Sequence, residues 1–252
     1  MPLLHRGAPG LAANRAGKLL TGGPRLSLNG DTLHHHMGLS AFAEMAVVSE
    51  HSLVKVDRSL PPDITALFGC AVMCGAGSVI NSGEVTAGET VAIAGIGGVG
   101  ASAILGARLA GAGRIIAVDP DAEKREIALS LGATDAIDGG ADAAGEIVEM
   151  TGGGVDCAST KRGGRVVTAG LVSPSTPYAL DIAAHVTSAK TIRGSYMGSC
   201  NPAIDIPKFV GLFLAGRFPV DRLITHRMPL ADVNTALENM AASKALRQIL
   251  TP

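Results

Sequence analysis

Hydrophobic and polar positions along this 252-residue chain fall into distinct blocks. Residues 1–40 are rich in Gly, Ala, Arg and Asn and show no clean period, which reads as loop. The stretch "AFAEMAVVSEHSLVKV" alternates and is rich in β-formers, which predicts two short strands about a turn at Ser49–Ser52. Two prolines then precede Asp63, a suitable N-cap, and the apolar run through Val79 predicts a helix. Thr90 to Ala94 is a wholly apolar strand of the kind buried on both faces in a parallel sheet.

From there the alternation becomes regular. A glycine-opened helix, "GIGGVGASAILGARLAGA", is followed by the strand "RIIAVDP" and a second helix ending near Gly132. A short third strand, "TDAID", and a third helix, "AAGEIVEMTGG", come next. Three more strands follow in "GVDCAS", "GRVVTAGL" and "TIRGSYM". Alternating strands and helices predict an α/β fold with a Rossmann-type, doubly wound parallel sheet.

Composition narrows the classes of partner. The chain is 47% hydrophobic and 17% charged, enough apolar material for a sizeable core. Its net charge of −1 and the absence of Trp argue against nucleic acid and anionic membrane as partners. The N-terminus lacks the apolar run of a signal peptide, and no stretch of about twenty apolar residues is evident, so no membrane span is expected and the cytoplasm is the expected compartment. The four cysteines, Cys70, Cys74, Cys157 and Cys200, make no CxxC pair, which argues against a zinc knuckle or a thioredoxin-type motif. His34–His36 are adjacent and cannot all face one ion from a regular strand, so they read as an exposed loop.

The chemistry concentrates after the first core strand. Gly95, Gly97 and Gly100 form G-x-G-x-x-G between a predicted strand and a predicted helix, the context that gives the pattern meaning. Gly95 permits a tight turn, Gly97 lets a pyrophosphate approach the backbone, and Gly100 lets helix and strand pack closely. The helix N-terminus offers free amides to the phosphates. Asp119 ends the next strand, where a carboxylate can accept from both ribose hydroxyls of NAD. A 2′-phosphate about 4 Å from that carboxylate would be repelled by roughly 4 kcal/mol at an effective dielectric of about 20, which favours NAD over NADP. A methyltransferase would place an acid at the strand end, where Ala94 stands. A short-chain reductase would need Tyr-x-x-x-Lys, but Ile182 follows Tyr178 and Cys200 follows Tyr196 at that spacing.

These segments resemble the zinc-containing, medium-chain alcohol dehydrogenase family. The resemblance is carried by "GLSAFAEMAVVSEHSLVKV", "LFGCAVMCGAGSVINSGEVTAGETVAIAGIGGVG", "AGAGRIIAVDPDAEKREIALSLGATDAID" and "FPVDRLITHRMPLADVNTALENMAASKALRQIL", in the family's order. It implies a remnant of a GroES-like, β-rich catalytic domain over 1–70, an NAD-binding domain over 71–194, and a segment returning to the catalytic domain over 195–252. By motif match, Cys70 resembles a ligand of the catalytic zinc, although a packing role stays open. Val99, Cys74 and the run Ala169, Gly170 and Leu171 would lie near the nicotinamide. Cys74 stands where the family usually has Thr, and could equally be a small buried filler. Gly98 belongs to the phosphate turn, Lys124 would lie near the adenosine ribose, and Arg247 would grip the pyrophosphate unless it is an ordinary helix-end arginine. The implied cofactors are NAD and zinc, and the implied substrate a small alcohol or aldehyde. "PYALDIAAHVTSAKTIRGSYM" corresponds to a dimer-forming edge, so a homodimer is expected.

Two departures qualify the resemblance. The family's other zinc ligands, its proton relay and its structural-zinc lobe have no counterpart in matching motifs here, and His5 and His34–His36 do not supply one. Cys70 then reads as a ligand without partners, and the activity as impaired. The chain is also compressed near 157–163: "TKRGG" separates two strands whose parallel crossover should need a dozen or more residues. Either the two strands pair as a hairpin or one leaves the sheet, and uncovered apolar surface should lower stability. A non-catalytic NAD-binding protein and a zinc-free reductase of the quinone-reductase type are the alternatives.

Overall fold

The computed structural model describes residues 26–33, 42–158, 161–173 and 175–252. His5, His34–His36 and most of the predicted N-terminal loop lie outside the described residues.

Within that N-terminal stretch, β1 (Leu26–Leu28) and β2 (Asp31–Leu33) form an antiparallel hairpin where the sequence read as loop. The turn is Asn29-Gly30, with φ of 52° and 90°. Two left-handed residues match the right-handed twist of the flanking strands. The two strands expected around Ser49–Ser52 do not form; a single 3-10 turn, Glu50–Ser52, stands there, capped by the Ser49 hydroxyl. Extended backbone without a neighbouring strand makes no ladder.

The helix after the two prolines starts earlier than expected. Pro61 is its N-cap and Pro62 its first residue, and Asp63 lies inside the first turn. Proline suits that position because the first amides of a helix have no partner to lose. The helical run is α1 (Pro62–Thr65), a wide π turn (Phe68–Val72), α2 (Met73–Gly77) and a second π turn (Ser78–Ser82). Contrary to the sequence reading, this run is long and apolar enough to cross a bilayer. Most of its apolar window is buried inside the fold, as in the core helix of a globular domain. Leu67, Val72, Met73 and Ala76 are fully buried. Burying a side chain of the size of Leu, Val or Met contributes about 1.5–3 kcal/mol.

The central sheet is parallel. Its order is β5 (Asp135–Ile137), β4 (Arg114–Val118), β3 (Thr90–Ala94), then Cys157 as a one-residue rung, then β6 (Arg165–Thr168) and β7 (Thr191–Gly194). The helices α3 (Gly98–Ala110), α4 (Ala122–Leu131) and α5 (Ala143–Thr151) connect the first strands as predicted. Val91, Ile93, Ile115 and Ala117 face the main core with α3, while Ala92, Ile116 and Val118 face Ile147 of α5. The two faces of β3 and β4 are thus both covered, as their unbroken apolar sequence requires.

The compressed segment resolves differently from either expectation. The chain neither makes a hairpin nor leaves the sheet: Cys157 bridges Val91 on one side and Arg165 on the other, both in parallel sense. The full fourth strand is reduced to that rung. Asp156 holds the register, its carboxylate accepting from the Thr90 amide at 3.0 Å and from Lys161 at 2.8 Å. Gly163, at φ 75°, lets the backbone turn straight back toward β6. β6 is only half-buried, and Ile182 and Val186 of α6 (Ile182–Ser188) are exposed.

The C-terminal segment packs on the core helix. Phe213 of α7 (Pro202–Leu214) meets Phe68 edge-on at 6.3 Å, and Arg227 of β8 (Ile224–Pro229) pairs with Asp63 at 2.8 Å. Parallel pairing of β8 with β9 (Arg247–Thr251), across α8 (Val233–Ala241), delivers Arg247 to the start of α3.

Candidate functional site

The site lies at the carboxyl ends of the parallel strands, where open α/β sheets bind ligands. Gly95 follows β3 with φ of 82°, the left-handed conformation that makes the tight turn. Its amide donates to the Val118 carbonyl at 2.9 Å, tying the turn to β4. Gly97 caps α3 in an extended conformation, and a Cβ there would meet nothing within 4 Å. At Gly100, by contrast, a Cβ would lie 1.9 Å from the Gly95 carbonyl oxygen. Gly95 thus makes the turn, Gly97 leaves its backbone open, and Gly100 packs too closely on the turn to admit a side chain.

Asp119 is buried, 5% exposed, and its carboxylate is shared with the glycine turn. One oxygen accepts from the Ile96 amide at 2.6 Å, the other from the Asp121 amide at 2.9 Å. Arg125 donates to the backbone carbonyl of Asp119 at 2.7 Å, which fixes the strand end. Lys124, on the first turn of α4, lines a cavity of about 340 Å³ with Asp121, Ile127, Thr225 and Leu246.

Arg247, at the start of β9, reaches the first residue of α3. A Cβ added to Gly98 would lie 2.8 Å from the Arg247 Cδ and 2.9 Å from the Leu246 carbonyl. The Arg247 Nε is buried and has no hydrogen-bond partner among the described residues. Such an orphaned donor at a helix N-terminus is the arrangement an anion satisfies. The cradle thus fits a pyrophosphate.

Close packing of two helices sets the remaining residues. Gly75 of α2 faces the Val99 carbonyl, where a Cβ would come within 2.2 Å, so α2 and the start of α3 touch backbone to backbone. This brings Cys70 and Cys74 to the same end of the molecule as Val99 and Arg247. Val99 is partly exposed. Ala169, Gly170 and Leu171 follow the carboxyl end of β6, with Leu171 open to solvent.

Cys70 is exposed and Cys74 half-buried, one helical turn apart. Each thiol's influence on the other, with the nearby Arg247 guanidinium, pulls the Cys70 thiol below its ordinary value and pushes Cys74 above it. Burial pushes Cys200 up to about 12. The donors at Cys70 among the described residues do not fit a zinc ion with three protein ligands. Among the described residues no three His, Cys, Asp or Glu side chains converge on one point. The Cys74 thiol donates to the Met197 thioether at 3.8 Å.

The sequence reading missed two participants. The Ile96 amide as the partner of Asp119 depends on the exact path of the turn. Met197 lies 123 residues from Cys74, so no local pattern could have joined them.

The zinc-binding dehydrogenase family matches residues 98–160. An NDMA-dependent alcohol dehydrogenase of Amycolatopsis methanolica is 37% identical, over 84% of this chain and 62% of its own length. A class-3 alcohol dehydrogenase of Myxine glutinosa is 34% identical, over 93% of this chain and 67% of its own length. The crystal structure of benzyl alcohol dehydrogenase from Acinetobacter calcoaceticus superposes with a TM-score of 0.85 at 30% identity, covering 97% of this chain and 72% of that one. This chain thus spans roughly two thirds of the length of such relatives. Similarity on this scale makes the chain a member of the zinc-containing, medium-chain alcohol dehydrogenase family.

Proposed function

We propose that this chain binds NAD at the glycine turn and belongs to an oxidoreductase that moves hydride between a small alcohol or aldehyde and the nicotinamide. The observation that carries the proposal is the orphaned Arg247 Nε beside Gly98, facing a turn already tied to Asp119. The pyrophosphate would rest on the amides of Gly97 to Gly100 and accept from Arg247. Asp119 would take the ribose hydroxyls with its remaining lone pairs, and Lys124 would flank the adenosine. Val99, Cys74 and Ala169 to Leu171 would border the nicotinamide. When bound, NAD supplies the hydride acceptor; the protein positions it and shapes the surrounding charge. The donors around Cys70 among the described residues do not fit zinc.

That same donor set supports a second reading, in which the chain binds the dinucleotide without turning over an alcohol. One experiment separates the two. Purified chain is assayed for NAD reduction with a simple primary alcohol, with and without a chelator. Turnover abolished by the chelator supports the zinc-type dehydrogenase, turnover indifferent to it supports a zinc-free reductase, and NADH binding without turnover supports the second reading.

A homodimer through β7 is part of the proposal. β7 pairs with β6 on one side, and no strand covers its other side among the described residues. A second copy would satisfy that edge. Sedimentation as a dimer supports this, and a strict monomer contradicts it.

A further inference from the structure

We infer that Arg125 is a positioning residue that sets the choice between NAD and NADP, by fixing where the Asp119 carboxylate stands. The inference rests on the NAD site proposed above and adds the group that holds its acidic residue in place. Pairing of β4 ends at Val118, so Asp119 and Pro120 lie past its ladder. The carbonyls of these two residues accept from one nitrogen of Arg125, Nη1, at 2.7 and 2.9 Å. Arg125 is the fourth residue of α4, and long helical side chains lean back toward the N-terminus of their helix. That lean carries the guanidinium onto the peptide that precedes α4. The turn after β5 presses on the same peptide: a Cβ at Gly139 would lie 3.0 Å from Pro120 Cδ.

Local preference argues against an arginine at this place. A cation near the start of a helix opposes the positive end of the helix dipole. A local rule broken in this way points to a compensating gain, and the two carbonyl bonds supply it. They are short bonds from a charged donor, the stronger kind, and the Arg125 side chain is 23% exposed. Asp138 contributes little by comparison. Its Oδ2 lies 3.9 Å from the same nitrogen on a side chain that is 66% exposed, and exposed ion pairs of this kind are weak.

The effect on coenzyme choice follows from distance. Hydrogen bonds from the ribose hydroxyls to the Asp119 carboxylate fail beyond about 3.5 Å. Repulsion of a 2′-phosphate falls only as the inverse of the separation. A carboxylate free to drift therefore loses its hold on NAD before it admits NADP fully. The amides of Ile96 and Asp121 orient the carboxylate, whereas Arg125 fixes the backbone from which it projects. A second effect has the opposite sign. Arg125 as a mere cation would attract both dinucleotides, and NADP, with its extra phosphate, the more strongly.

The test is titration of the full chain with NADH and with NADPH, for wild type, Arg125→Met, Arg125→Lys and Asp138→Asn, each checked by circular dichroism. Arg125→Met should lose about tenfold in NADH affinity, the equivalent of one charge-assisted hydrogen bond. Its NADPH affinity should hold, so the preference for NADH shrinks by the same factor. Arg125→Lys, whose ammonium can donate to the same two carbonyls, should restore most of the preference. Asp138→Asn should bind both dinucleotides as wild type does. Parallel loss of NADH and NADPH in Arg125→Met would overturn the positioning role in favour of plain charge attraction or a structural part. An Asp138→Asn variant that loses the preference as Arg125→Met does would overturn it too. Wild type that binds neither dinucleotide would bring down the NAD site itself, whereas NADH binding with a preference unmoved in Arg125→Met would bring down the role of Arg125 alone.

Discussion

The carboxylate of Asp119 and the backbone amide of Ile96, 23 residues apart, are joined by a 2.6 Å hydrogen bond. The residue that would read the ribose is therefore the one that holds the phosphate turn in shape. Asp119→Asn should weaken NADH binding by about 1–3 kcal/mol, the range for a buried group that loses a charged partner. It should also narrow the preference for NADH over NADPH, since the repulsion of a 2′-phosphate is removed. Titrations of both cofactors against wild type and variant measure this.

Gly97 and Gly100 should respond oppositely to the same change. Gly100→Ala would place a methyl 1.9 Å from the Gly95 carbonyl, so the turn must shift. Overpacking of this kind costs about 1–3 kcal/mol, and the melting temperature should fall together with NADH affinity. Gly97→Ala meets nothing within 4 Å. It should melt as wild type does, and any loss of NADH affinity then reports the ligand's own approach to that backbone.

Arg247→Gln removes the guanidinium whose Nε is orphaned in the free chain. A charge-assisted bond to a pyrophosphate is worth about 1.5–3 kcal/mol, so NADH affinity should drop by that amount. Thermal stability without NADH should change little or rise, because a buried unsatisfied donor goes with it.

The sheet junction should be acid-sensitive. Lys161 and the Thr90 amide hold the Asp156 carboxyl below its usual range, and Arg114 does the same for Asp135. These carboxylates hold protons less tightly folded than unfolded. Their contribution is therefore complete above the ordinary aspartate value of about 3.9, and is lost as pH falls through the lower folded values. Denaturant midpoints should decline through that acid window, and Asp156→Asn should flatten part of the decline. The half-buried β6 and exposed Ile182 and Val186 further predict a lower melting temperature than that of a relative with a full crossover helix.

Much of the core was legible because its signals are local. The β3–α3–β4–α4–β5 run follows from apolar strands, glycine punctuation and an Asp121 cap, all within a few residues of what they specify. The hairpin at Asn29-Gly30 carried a readable turn signal, masked by the polar loop composition around it. Other features depend on distant partners. The one-residue rung at Cys157 exists because Asp156 reaches back 66 residues to the Thr90 amide. Met197 reaches Cys74, and Arg247 reaches Gly98, only after α7 and the β8–β9 pair have folded onto the core helix. Sequence spacing carries no trace of such contacts, whereas the resemblance had placed Arg247 beside the phosphates.

Isothermal titration of the full chain with NADH tests the central claim most directly. Saturable binding of one NADH per chain, weakened by both Asp119→Asn and Arg247→Gln and stronger than that of NADPH, is the predicted result. Absence of heat from NADH, or binding that neither substitution alters, would contradict a dinucleotide site at this turn.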